Sequence, residues 1–420
     1  MQDVKCHELV IVGCGASGMT AGCIAGLYCD DVLIIDSNNV PGKKLLATGN
    51  GRCNFTNTFM RADRYNTQDS GIMDIIDGFG FDDVMMFFER LGVPVRIRDG
   101  YCYPYSLEAV SIRDALAGRL AELGVKIKLN NKICSVEKDN DTDRFRLYTE
   151  SGYCYEAKKV ILACAGKTNS SFGCDGGVYD ILKKLGAVNI VKPLPALVGL
   201  SSDHPRLKEL AGVRTPAKVI LRSDTEEIRH ESGEIIFSGT GISGIPVMNM
   251  SRYASRLLDN GRKCSIVLDF FEEQPANGLT VLLGNMCRGR NVTLRQALTG
   301  IINHKLLDVI IEESGNKDRL CEDEALDLSR MTRLLKGFEL NITGTAGFDN
   351  AQVTTGGLSL DEIDTRTMEA KFCKNLYITG ETLDVDGCCG GYNLQWAWST
   401  GAAAGAAATV GKLEAVKLYE

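Results

Sequence analysis

Two glycine-rich stretches at opposite ends of the chain have the spacing to hold phosphate. The first runs Val10-Ile11-Val12-Gly13-Cys14-Gly15-Ala16-Ser17-Gly18, and the apolar run Val32 to Ile35 then leads to the acid Asp36. In a Gly-x-Gly-x-x-Gly turn between strand and helix, Gly13 allows the tight turn and Gly15 lets backbone N–H groups approach a pyrophosphate. Gly18 lets the helix pack on the strand, and the helix N-terminus adds partial positive charge. Asp36 is placed to accept a hydrogen bond from a ribose hydroxyl, with Ser37 beside it. The second stretch runs Thr379-Gly380-Glu381-Thr382-Leu383-Asp384-Val385-Asp386-Gly387-Cys388-Cys389-Gly390-Gly391-Tyr392-Asn393. One such loop alone is a weak nucleotide signal. A second one far downstream means that both ends of the chain fold over one long cofactor.

The first motif does not separate NAD from FAD; the residues after it do. Asp36 leads into Pro41 to Asn57, a loop rich in Gly, Thr, Asn and cations that includes Lys43, Lys44, Thr48, Gly49, Asn50, Arg52, Cys53 and Asn54. Such a loop suits an extended cofactor whose flavin end needs polar contacts, and its cations can balance phosphate or reduced-flavin charge. Ala165 and Gly166, just past the apolar run Lys159 to Ala163, are further cofactor candidates. In the C-terminal stretch, Gly380 and Glu381 open the loop and Asp386 can receive hydrogen bonds from a ribityl chain. Gly387, Gly390 and Gly391 free the backbone where a helix begins near Tyr392. Its N-terminus would stabilise an anionic reduced ring. Asn393 and Gln395 add polar contacts, and Trp396 and Trp398 pack on the domain.

The elements needed to position these groups are legible. Residues 8–13, 16–28 and 32–36 read as strand, helix and strand, and 37–58 as a long loop. Residues 72–91 and 110–123 read as helices, and 125–157 as a β-meander that returns to a buried strand. From about Lys192 prolines punctuate short strands, and a helix-rich stretch covers roughly 275–335. A strand Asn375 to Thr379 and a terminal helix to about Thr409 close the chain.

Composition narrows the partners. The 420 residues carry a formal net charge of −7, which argues against nucleic acid as the main partner while leaving a local basic patch open. The sixteen cysteines include no Cys-x-x-Cys and only four histidines are available, so no metal site is expected. The thiols read as reduced, in a cytoplasmic protein. Leu9 to Cys29 is apolar but fails as a signal peptide or membrane span. Asp3 and Glu8 precede it, and its five glycines suit a nucleotide turn and a tightly packed helix.

At this point the chain resembles the family of FAD-dependent oxidoreductases that includes BaiN, the bile-acid-pathway reductase, and the aminoacetone oxidases. The resemblance rests on Gly42 to Asn57, Asp99 to Ser106, Gly347 to Gly357 and Gly380 to Gly401. It implies an α/β fold, with a Rossmann-like two-dinucleotide-binding FAD domain in two segments, 1–191 and 341–420. An inserted β-rich domain (192–274) and a small helical domain (275–340) lie between them. By the same resemblance Val136 contacts the adenine side through its backbone. The family usually carries a polar side chain, often His or Asp, where this chain has Gly239.

Gly239 also opens a second Gly-x-Gly-x-x-Gly, through Gly241 to Gly244, after the run Glu234 to Phe237. By itself it reads as an NAD(P)H-binding βαβ unit; the resemblance places it in the inserted domain instead. Cys53 and Cys388-Cys389 read as small packing residues, since adjacent cysteines strain a mutual disulfide. The resemblance implies reduction of a ring-conjugated 3-oxo steroid, such as a bile-acid dienone, with NADH or NADPH as donor. An amine oxidase of the aminoacetone type, passing electrons to oxygen, is the alternative, and a flavin redox sensor without a small substrate is a third. Such a reduction needs a proton donor. Tyr101, Tyr103 and Ser106 lie on a loop that the resemblance puts near the active site, and Tyr103 is the candidate catalytic residue. No nucleic-acid or membrane partner is expected, and the oligomeric state is open.

Overall fold

Apolar runs buried on both faces make parallel strands, and the first unit is built on them. The computed structural model describes residues 5–67 and 71–413. It divides into two compact units, Met1–Leu194 with Val353–Glu420, and Pro195–Gln352. In the first, strands Leu376–Ile378, Cys154–Leu162, Cys6–Val12, Val32–Ile35 and Lys126–Lys128 lie side by side, all parallel. Two antiparallel strands, Ile133–Asp139 and Arg144–Thr149, lead back into Cys154–Leu162. This is the Rossmann-like fold expected, with the meander as its crossover.

Helix Ala16–Ala25 is apolar all round and buried from Ser17 to Ala25. It packs on the sheet and against the alanine-rich terminal helix Tyr392–Val410. The two helices touch backbone to backbone. A methyl group on Gly401 would stand 2.4 Å from the Ser17 carbonyl oxygen, and one on Gly405 2.5 Å from that of Ala21. No other residue type permits that approach, so the spacing of these two glycines brings the ends of the chain together.

Two expected elements differ. The loop 37–58 contains a helix, Lys43–Ala47, and a short strand, Thr56–Asn57. The stretch 72–91 is two helices, Ile72–Asp77 and Phe81–Arg90. Gly78 ends the first, and Gly80, in extended conformation, starts the second with its N–H donating to Asp83 at 3.0 Å. The sequence pattern carried the apolar periodicity across this break.

The second unit is a closed six-stranded barrel, in the order Leu200–Ser202, Gly241–Ser243, Glu226–Ser238, Arg214–Ser223, Cys264–Asp269, Phe338–Thr345. Helices Ala276–Cys287, His304–Glu313 and Leu328–Lys336 are inserted between its last two strands in sequence. Leu279, Leu283, Leu307 and Leu335 join Val219, Phe237 and Leu340 in one apolar core. The β-rich and helical parts, read as separate from sequence, therefore share a core. The strand Phe338–Thr345 also carries the unit past the expected boundary at 340.

The second Gly-x-Gly-x-x-Gly is not a βαβ turn. Residues 239–240 are the tip of an antiparallel hairpin in which Ser238 pairs with Gly241. Gly241 is glycine because a methyl there would lie 2.0 Å from the Leu200 carbonyl oxygen of the next barrel strand. Its backbone approaches another strand, which removes the basis for a nucleotide unit there.

Gly401→Ala is expected to cost about 1–3 kcal/mol, read from the midpoint of urea unfolding. Gly118→Ala, at an exposed helical position with nothing within 4 Å of the added methyl, is expected to add about 0.5–1 kcal/mol. Equal responses would contradict the close helix contact.

Candidate functional site

The first glycine turn has one open position and two closed ones. Methyl groups on Gly13 and Gly18 would collide with the carbonyl oxygens of Ala163 and Gly13, at 2.2 and 1.9 Å, whereas one on Gly15 meets nothing within 4 Å. Gly15 caps helix Ala16–Ala25, and no side chain bonds the first-turn N–H groups. The turn thus presents backbone donors and helix-dipole charge on an accessible side. Asp36 braces it. Its carboxylate accepts from the Cys14 N–H at 2.6 Å, and from the Asn38 N–H and side-chain amide at 2.7 and 2.9 Å. Carboxylate oxygens have further acceptor capacity for a ribose hydroxyl.

The second glycine stretch meets this turn directly. Thr379 Oγ1 bonds Ser17 Oγ at 3.2 Å, and Trp396 Nε1 donates to the Gly380 carbonyl at 3.0 Å. Glu381 pairs with Lys44 at 2.5 Å and accepts from both the N–H and the hydroxyl of Thr354 at 2.9 Å. Burial opposes the Lys44 charge, but the Glu381 carboxylate outweighs it and leaves the ammonium pKa raised. Thr354 Oγ1 also accepts from the Lys167 N–H at 2.7 Å, and Thr382 donates to the Ala165 carbonyl at 3.1 Å. Ala165 and Gly166 are tied into the same cluster. Beside it, Thr168 Oγ1 and the Tyr179 hydroxyl are buried without a hydrogen-bond partner. Burial, with Glu381 and Asp384 adding to it, raises the Tyr179 pKa.

The start of the terminal helix forms the third part. Gly391 caps it in left-handed conformation, again with no side-chain cap. Asn393 clamps Gly387 by two bonds, receiving its N–H at 2.8 Å and donating to its carbonyl at 2.9 Å. Asp386 accepts from Asn66 at 3.0 Å. Asn57 donates to the Gly390 carbonyl at 2.8 Å. Tyr392 is buried and donates to the Phe59 carbonyl at 3.3 Å.

A model of the HI0933-like protein Rossmann domain matches residues 7–407. The chain belongs to this family. The 3-dehydro-bile acid delta(4,6)-reductase of Clostridium scindens is 36% identical over 409 residues, which cover 96% of this chain and 99% of that protein. The ribosomal RNA dihydrouridine synthase of Escherichia coli is 28% identical over 94% of this chain and 96% of its own length. Among solved structures, a flavocytochrome c3 fumarate reductase aligns over 97% of this chain and 78% of its own, at a TM-score of 0.48 and 16% identity. This HI0933-like protein is an FAD-dependent oxidoreductase.

The residues present fit FAD. Two helices begin at uncapped glycines, Gly15 and Gly391. Thr168 and Tyr179 offer buried hydroxyls, and Gly15 leaves room for a ligand against the backbone. Gly13, Gly15, Ala16, Ser17, Gly18, Lys44, Ala165, Gly166, Gly380 and Glu381 stand together at the crossing of the two loops. Asp386, Gly387, Gly390, Gly391, Tyr392 and Asn393 form the helix-start group.

Other candidates lie apart. Lys43 donates to the Ser171 carbonyl at 2.6 Å, and Ser37 is exposed beside Gly173. Val136 is buried in mid-strand, paired with Leu147. Thr48 to Asn54 form a tight turn in which the Cys53 N–H donates to the Thr48 carbonyl at 3.0 Å, and Arg52 is exposed. Gly49 and Asn50 both take positive φ there. Burial pushes the Cys53 thiol up to about 12, an inert packing group. All sixteen cysteines are free thiols, and among the described residues no cluster suited to a metal occurs. Asn54 receives the Cys102 N–H at 3.2 Å, which leads to Tyr103. Its ring lies 3.9 Å from the methyl position of Gly49. Burial raises its hydroxyl pKa, against the opposing charges of Arg52 and Arg98. Ser106 bonds Ser111 at 2.7 Å instead.

Thr354 and Asn66 escaped the sequence reading because their partners are distant in the chain, whereas Asn38 bonds its near neighbour Asp36 and Asn57 ends the loop read from sequence as cofactor-binding. Gly401 and Gly405 carried a visible signal, two glycines one helical turn apart in an alanine-rich helix.

Gly15→Val is expected to leave the apoprotein's unfolding within about 0.5 kcal/mol of the parent, a surface-like effect. FAD affinity should fall about 100-fold, roughly 2.7 kcal/mol. Flavin fluorescence titration of the apoprotein reads the second value, and unchanged affinity would remove the turn from the site.

Proposed function

We propose that this protein reduces a carbon–carbon double bond conjugated to a carbonyl, with NADH or NADPH as electron donor. Its first candidate substrate is a 3-oxo steroid of the bile-acid dienone type. The observation that carries this is the near-complete alignment with the Clostridium scindens reductase, at 36% identity over 409 residues. The sixteen free thiols suit a reducing cytoplasm.

Bound FAD would supply hydride transfer at its N5 atom. The chain's own groups do the rest. The glycine turn holds the diphosphate end above the mutually neutralised Lys44–Glu381 pair, and the start of the terminal helix stabilises negative charge at the ring end. Hydride addition at the far carbon of the conjugated bond places negative charge toward the carbonyl. One proton at the neighbouring carbon completes the reduction. Tyr103 is our proton donor, because its phenol is protonated at neutral pH and lies on the same strand face as Tyr101, which borders Gly390 at the helix start.

A second substrate is favoured by the relatives from Escherichia coli and Haemophilus influenzae, both ribosomal RNA dihydrouridine synthases, at 28% and 24% identity. The uracil ring also carries a double bond conjugated to a carbonyl, so the chemistry is the same.

The test is anaerobic mixing of the reduced holoenzyme with a 3-oxo-4,6-diene steroid or with unmodified ribosomal RNA. One of these acceptors should reoxidise the flavin and lose one double bond. Reoxidation by neither acceptor, with rapid oxidation by air and peroxide formation, would sink the reductase reading. Tyr103→Phe should slow the step by about 100-fold while FAD is retained. Because the donor must be protonated and its pKa is raised above 10.0, the parent rate should be lost only as pH rises beyond that value. Full turnover in Tyr103→Phe removes Tyr103 as donor.

A further inference from the structure

We infer that the small sheet of Thr56–Asn57, Val95–Arg98 and Tyr101–Pro104 carries the substrate-docking face of the flavin site, and that its occupant is a single-stranded segment of RNA. This rests on the reductase reading above and selects between its two substrates.

The register puts the relevant side chains together. Tyr101 stands opposite Arg98 and Asn57, and Tyr103 opposite Arg96. Opposed residues share a face, as do residues two apart. Asn57, Arg96, Arg98, Tyr101 and Tyr103 therefore share one face, on which Arg96 and Arg98 are exposed, the two tyrosines half-buried and Asn57 buried; Cys102 and Pro104 are buried on the other, beside an exposed Ile97. Tyr105 continues the alternation, with the Arg96 guanidinium 4.4 Å over its ring, and is 58% exposed. Arg96 and Arg98 are exposed and about 7 Å apart by strand spacing. Arg52, also exposed, is close enough to act on Tyr103. Asp99 at the turn lies 3.7 Å from Arg98, but with side chains more than four-fifths exposed the pair is screened.

The same face reaches the start of the terminal helix. Tyr101 is 3.0 Å from the methyl position of Gly390, whose carbonyl Asn57 holds. Tyr103 borders Gly49. Cations thus lie outward and aromatic rings lead inward to the helix start assigned to the flavin ring.

Charge and shape choose the occupant. A steroid buries most of its surface in a concave, apolar-lined pocket. The outer part of this face, Arg96, Arg98 and Tyr105, is exposed, cationic and aromatic, which matches phosphates and unstacked bases. A net charge of −7 opposes RNA over the rest of the surface, so binding would be local and strongly salt-dependent. The uracil double bond would then take one hydride, drawn from NAD(P)H through the flavin, and one proton from Tyr103.

The experiment is filter binding of FAD-loaded enzyme to protein-free ribosomal RNA and to oligouridylate over a salt series, for the parent and for Arg96→Gln/Arg98→Gln. Both substitutions are on exposed positions, and unchanged melting and FAD content check the variant's fold. The parent should bind. The variant should bind at least about tenfold more weakly, with a salt slope lower by about 1.4 for two lost phosphate contacts. No binding by the parent at low salt, or equal binding by the variant, overturns the inference. A steroid enone reoxidising the reduced flavin while RNA fails to bind would overturn the docking face and leave the reductase standing. Arginine-dependent RNA binding without reoxidation by RNA or steroid would do the reverse.

Discussion

The contact on which the site depends is the backbone-to-backbone packing of helix Ala16–Ala25 against the terminal helix Tyr392–Val410. Gly401 and Gly405 let the terminal helix lie on the carbonyls of Ser17 and Ala21. Trp396, on the same helix, holds the Gly380 carbonyl, and Thr379 bonds Ser17. Two segments more than 360 residues apart in sequence are thereby held as one cradle. Both helices begin at glycine caps that no side chain satisfies, so each contributes backbone donors where a ligand's negative charge can be met.

Electrostatics at the cradle rely on the backbone more than on lysines. Lys44 is spent on Glu381, and Lys43 on a carbonyl. Neutral pairing beneath the loops avoids an uncompensated buried charge, which is costly, and leaves phosphate to the helix ends. Arg52 is turned outward, beside Tyr103. The division is consistent with one set of groups holding a resident cofactor and another meeting a molecule that comes and goes.

The local parts of this arrangement were legible. Gly13, Gly15, Gly18 and Asp36 follow a spacing imposed by a strand–turn–helix, and the C-terminal loop repeats the signal. The Gly239 to Gly244 stretch misled because glycine spacing records only that backbone comes close to something. At Gly15 that side is open, and at Gly241 it is the Leu200 carbonyl. The shared core of barrel and helices was hidden for a different reason. Leu279 and Leu335 pack with Val219 through contacts that no local periodicity encodes. Thr354 and Asn66 gain meaning only once the fold places Glu381 and Asp386 beside them.

The central proposal is that a single FAD, held by both ends of the chain, is charged by a nicotinamide donor. It is tested most directly by anaerobic titration of the purified yellow protein with NADH and NADPH, following flavin absorbance. The account predicts bleaching complete at one equivalent of one of these donors per bound flavin. A flavin that neither donor bleaches would contradict it, and would point to a protein reduced by its own substrate.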